Sequence, residues 1–140
     1  MTLYDVDYGL WLQDQITNLK FRKWGDLDAD NLIEELEILN KSNKRELYSY
    51  IVVVLTHLLK WQFQPEGRSG SWKGSIKNGR RRIERLFNDQ PSLKPYLEEI
   101  LAEAYEEARE WAEDDPGLDT FPSFSPYCIQ EILELEFLPD

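Results

Sequence analysis

Leu32, Leu36, Leu39, Asn43, Leu47, Tyr50, Val54, His57 or Leu58, and Trp61 recur at spacings of three and four, which sets them on one stripe of a single long helix. Val52, Val53 and Val54 have strand propensity, but helix-period flanks on both sides override so short a local preference. The stripe predicts a helix over residues 29–63. It opens on the acidic stretch 26–30, whose carboxylates complement the positive end of a helix dipole. Asn43 is the polar member of the stripe, and the KSNK run around it marks the place for a kink, a division into two helices or a register-setting hydrogen bond.

The remaining elements follow from periodicity and punctuation. Val6, Leu10, Trp11, Ile16 and Leu19 predict a first helix over 7–22, with Asp5 or Asp7 as its cap and a break at Gly25. Pro65, Gly67 and Gly70 make a loop, and Ser69 or Ser71 caps a third helix with Trp72, Ile76, Gly79, Ile83 and Leu86 on one face. Gly79 on an apolar face costs about 1 kcal/mol relative to Ala, so a close helix approach is expected there. Leu93, Leu97, Ile100, Leu101, Ala104, Ala108 and Trp111 form a fourth stripe, with Ser92 or Asp89 as cap. Residues 114–125 read as a loop, and Ser125 and Pro126 as the start of a short last helix ending near Phe137. Short connections favour antiparallel neighbours, so residues 1–140 are expected to form an all-α, single-domain antiparallel bundle of four to five helices, with a long second helix.

Charge is distributed unevenly along this frame. The chain carries a formal net charge of -11, yet residues 57–87 hold half of its 16 basic side chains and two acids, Glu66 and Glu84, a local excess of +6. From residue 98 onward 14 acids face one base, Arg109. The simplest account sets the basic third helix against the acidic fourth one, with a remaining edge for an outside partner. A single cysteine, Cys128, can form neither an internal disulfide nor a cysteine-based zinc framework. The N-terminus has no leader pattern, and the longest apolar run, 51–55, is far short of the ~20 residues that span a bilayer. A cytoplasmic protein with no membrane contact is expected.

Several separated motifs carry a family likeness: HLLKWQFQP, R-x-x-SW-x-x-SI, RRRIERL, PSL-x-PYL, FP and the terminal FLP, flanked by YDVDY and NLIEELEIL. In this order they resemble the bacterial domain of unknown function family numbered 29, over nearly the whole chain. The resemblance implies an all-helical single domain and brings no activity, cofactor or catalytic residue with it. Trp111 stands where smaller aliphatic residues are more usual in that family, which points to a local packing change or an exposed contact.

The groups able to carry chemistry are few. His57 shares a helix face with Lys60 and Trp61, but it has no second His, no HExxH and no Cys at ligand spacing, so a hydrogen-bonded residue at the edge of a core is the simpler reading. Neither a phosphate-cradling glycine loop nor a hydrolase elbow occurs, and no catalytic residue, metal or cofactor is assigned. Glu35 falls beside the apolar stripe, and a half-buried carboxylate needs a partner. Arg68, Arg80 or Lys60 is expected to supply it.

The candidate functional surface is therefore Glu35, His57, Lys60, Trp61, Arg68, Trp72, Arg80 and Arg81. Most of the five tryptophans are expected in the core. A non-enzymatic helical interaction module that binds a protein partner or self-associates is the leading expectation. One alternative is an enzyme acting on phosphodiesters through an acidic and His cluster, with Lys60 and Arg80 neutralising phosphate. The other is nucleic-acid binding by Arg80, Arg81, Arg82 and Arg85.

Overall fold

The computed structural model describes residues 1–113 and 121–140, and the predicted loop over 114–125 lies largely outside the described residues. Helices α1 (Leu3–Val6), α2 (Tyr8–Lys20), α3 (Ala29–Phe63), α4 (Gly70–Asp89), α5 (Leu93–Glu113) and α6 (Ile129–Leu133) follow one another with no strand among the described residues. The all-α class and the long helix are as the periodicity demands, and α3 runs through Asn43 as one helix. Among the described residues no helix is long and apolar enough to cross a membrane. The chain divides into two compact units, Met1–Lys41 and Ser42–Asp140, with α3 contributing to both.

In the first unit Asp7 caps α2, its carboxylate accepting from the Leu10 amide at 3.0 Å, which satisfies an otherwise orphaned donor of the first turn. The helix stops in a Schellman closure. Lys23 N–H donates to the Asn18 carbonyl at 2.8 Å, Arg22 N–H to that of Leu19 at 3.1 Å, and Arg22 takes the left-handed conformation at φ 56, a position more often filled by Gly. Trp11 and Gln15 are buried. The Trp11 indole donates to Asp28 at 2.9 Å and the Asp28 amide to the Gln15 side chain at 2.8 Å, which fixes the start of α3 against α2.

In the second unit the stripe becomes a core. Leu47, Ile51, Val54, Leu55, Leu58 and Leu59 of α3 pack with Ile76, Ile83 and Phe87 of α4 and with Leu93, Leu97, Ile100, Ala104 and Ala108 of α5. Each fully buried Leu or Ile contributes about 1.5–3 kcal/mol relative to exposure. Gly79 is the point of close approach between α3 and α4: a Cβ there would fall 2.7 Å from Cγ2 of Val54 and 3.7 Å from the carbonyl of Tyr50. Ser69 caps α4 through the Trp72 amide at 3.3 Å.

Four expectations are corrected. The α3 stripe is buried only from Leu47 onward, and Leu36 and Leu39 are exposed. Trp111 is 60% exposed while Ala112 is buried, because the inward line of α5 runs through Ala104, Ala108 and Ala112. Of the tryptophans only Trp11 is fully buried, while Trp24 and Trp111 are exposed and Trp61 and Trp72 half-buried. The last helix is Ile129–Leu133 and starts after Cys128. The Ser125 hydroxyl turns back on Tyr127 instead, accepting from its amide at 3.2 Å, while Glu131 receives the Cys128 amide at 3.0 Å.

Candidate functional site

The predicted residues separate into four environments. Lys60, Trp61, Arg68 and Trp72 come together around the one-turn 3-10 segment Pro65–Gly67. The Arg68 guanidinium stands 5.1 Å from the centre of the Trp61 ring and the Lys60 ammonium 5.8 Å from that of Trp72. Arg68 also donates to the main-chain oxygens of Trp61 and Asp140, each at 2.7 Å. Trp72 leans on Gly67, where a Cβ would fall 2.6 Å from the ring. These cation and aromatic faces satisfy one another, so the cluster serves as a structural clasp for the loop.

Arg80, expected at the surface, is 2% exposed. Its Nε donates to the Ile132 carbonyl at 2.8 Å, Nη2 to that of Glu131 at 2.9 Å, and Nη1 to that of Phe137 at 2.7 Å with a longer reach of 3.4 Å to Leu135. Two of these carbonyls belong to α6, so the guanidinium caps the negative end of that short helix. Burial lowers the arginine's pKa, and the negative charges of Glu134 and Glu136 act in the opposite sense. The partners of Arg68 and Arg80 are thus main-chain oxygens, where a side-chain carboxylate was expected. Arg81, Arg82 and Arg85 are exposed on α4.

Glu35 is half-buried, as its place beside the stripe requires, but the expected cation is replaced by two phenols. Tyr4 donates to one carboxylate oxygen of Glu35, and Tyr8 donates to the other at 2.7 Å. The rings of Tyr4, Tyr8 and Trp11 pack together around this point, with the Tyr4 and Trp11 centroids 4.7 Å apart. The Tyr4 and Tyr8 hydrogen bonds lower the Glu35 pKa, and the bond to Glu35 pushes Tyr4 up to about 12 and raises Tyr8. The carboxylate's contribution is therefore present above its unfolded pKa of ~4.3 and lost as pH falls through its depressed folded value. Glu35→Gln is expected to return the Tyr4 phenol toward ~10, read from the pH dependence of its ring-carbon NMR shift. An unchanged midpoint would remove Glu35 as the cause.

His57 lies in a cleft between α3 and α5 that sequence reasoning did not single out. Its Nδ1 sits 2.8 Å from the Val53 carbonyl, a contact that selects the tautomer with the proton on Nδ1. The cleft has a volume of about 320 Å³ and is lined by Tyr48, Val52, Val53, Thr56, His57, Glu107 and Trp111. Trp111 forms an exposed lip. Burial and a hydrogen bond to Glu107 raise the Tyr48 pKa, with Glu103 and Glu110 adding negative charge on the same side of α5. The unusual Trp at position 111 was the available signal for this cleft.

Among the described residues no group of three His, Cys, Asp or Glu side chains is placed to hold a metal ion. The family model described as Domain of unknown function DUF29 matches residues 3–138. No curated protein and no solved structure matches the chain.

Proposed function

Because the chain belongs to the DUF29 family, which carries no assigned activity, its role is read from its own surface, and we propose that it is a non-enzymatic, cytoplasmic interaction module for a protein partner. The observation that carries this reading is the cleft between α3 and α5, with Trp111 60% exposed at its lip. A rigid aromatic ring beside an apolar slot supplies contact area at low entropic cost. Glu103, Glu107 and Glu110, at helical spacing along that side of α5, favour a basic counterpart. The partner that fits is an amphipathic helix with an apolar anchor for the cleft and Lys or Arg beside it.

The phosphodiester reading has less support, since it needs Glu35, His57, Lys60 and Arg80 around one polar space. Glu35 is engaged by Tyr4 and Tyr8, and Arg80 lies beneath the C-terminal segment. A photoreactive phenylalanine at position 111 is expected to crosslink to a basic helical segment of a single partner. Val53→Glu on the opposite wall should abolish that crosslink, and the same probe at Arg82 should not form it. Equal crosslinking from both positions, or indifference to Val53→Glu, would overturn the reading.

A further inference from the structure

The unit Met1–Lys41 presents an apolar face that it does not cover itself. Its helices run antiparallel, since Tyr8 meets Glu35 while Gln15 meets Asp28. Leu12, Ile16 and Leu19 follow one edge of the Trp11 and Gln15 contact line on α2, and Leu32, Leu36 and Leu39 follow one edge of the Asp28 and Glu35 line on α3. In right-handed helices of opposite direction these two strips turn to the same side of the hairpin. Ile16 is 48%, Leu19 45%, Leu36 63% and Leu39 60% exposed. Within this unit, Trp11 is the one buried apolar side chain. An apolar strip shared by two neighbouring helices and left open to solvent marks an interface.

We propose that two copies of this chain pair through this face, α2 of each against α3 of the other, closing a four-helix bundle about a two-fold axis parallel to the helices. Charge selects this occupant and this orientation. The last turn of α2 and its exit carry Lys20, Arg22 and Lys23, and the adjoining turn into α3 carries Asp26, Asp28 and Asp30, at the same end of the hairpin. A parallel two-fold lays the basic end of each copy over the acidic start of the other, whereas the opposite two-fold sets like helices against one another without that match. The face uses none of the residues of the α3–α5 cleft, so the two binding events are tested separately.

Sedimentation velocity on the full chain at micromolar to sub-millimolar concentration is expected to give twice the 16.6 kDa mass of the chain. Leu36→Glu and, independently, Leu39→Glu should raise the dissociation constant about thirtyfold or more, the size of a hot-spot loss. Both side chains are exposed in the single chain, so its helical circular dichroism should be kept. Lys20→Glu should weaken the dimer, and so should added salt, which screens the paired ends. A wild-type chain that stays monomeric throughout the range overturns the proposal. So does a dimer indifferent to both Leu variants, or one that neither Lys20→Glu nor salt weakens.

Discussion

Arg80→Ala is expected to lower the unfolding free energy by roughly 3 to 5 kcal/mol, because each buried carbonyl left without a donor costs about 1–3 kcal/mol and part of that is recovered by entering water. The guanidinium is 2% exposed and is the donor to the carbonyls of Glu131, Ile132 and Phe137. Its removal also leaves a hole beneath the C-terminal segment, adding lost packing to lost hydrogen bonds. Arg80→Lys should recover only a small part, since an ammonium is a single point donor and cannot reproduce a planar fork aimed at separate carbonyls. Urea denaturation gives the magnitude, and amide exchange locates it: protection should fall first over 129–138. An unaltered urea midpoint would mean that the carbonyls find other donors and that the guanidinium is incidental.

Gly79→Leu should cost about 3 kcal/mol, at the upper end of ordinary overpacking. A Cβ at this position falls 2.7 Å from Cγ2 of Val54, and a β-branched side chain in a helix has one strongly preferred rotamer, so it cannot swing aside. The two helices must separate, and the core contacts of Ile76 and Ile83 against α3 loosen with them. Gly79→Ala meets the same methyl group, but about 1 kcal/mol of helix propensity offsets part of the clash. Joining it to Val54→Ala should therefore yield a protein more stable than the two single effects predict, a coupling visible in a double-mutant cycle. Strict additivity would show that α3 and α4 adjust without strain.

Glycine 79 was legible because it sits on an apolar face where its propensity cost needs a steric reason. The long helix was legible because the spacing of three and four continues on both sides of Asn43. Arg80 was legible in principle: it lies four residues after Ile76, three before Ile83 and seven before Phe87, all buried. The adjacent arginines, whose charge suggested a surface, masked that register. Burial physics required a partner for Glu35 without specifying a cation, and phenols at positions 4 and 8 satisfy it equally well. Charge totals pointed to carboxylates because composition counts side chains, while the acceptors used by Arg68 and Arg80 belong to the main chain. The α3–α5 cleft depends on which side of α5 turns outward, and a shift of one residue, from Trp111 to Ala112, decides it.

The hydrogen bonds of Arg80 join positions 51 to 57 residues apart, and the core it adjoins includes Phe121, Tyr127 and Ile132. A ribosome delivers these groups only after α3, α4 and α5 have been made. Through most of synthesis α4 therefore carries a hydrated guanidinium on the face destined for the interior, and α3 and α5 lack part of their cover. The emerging polypeptide cannot lock its second unit until residues 121–138 arrive, so premature termination between α5 and that segment should leave a loose, protease-sensitive intermediate.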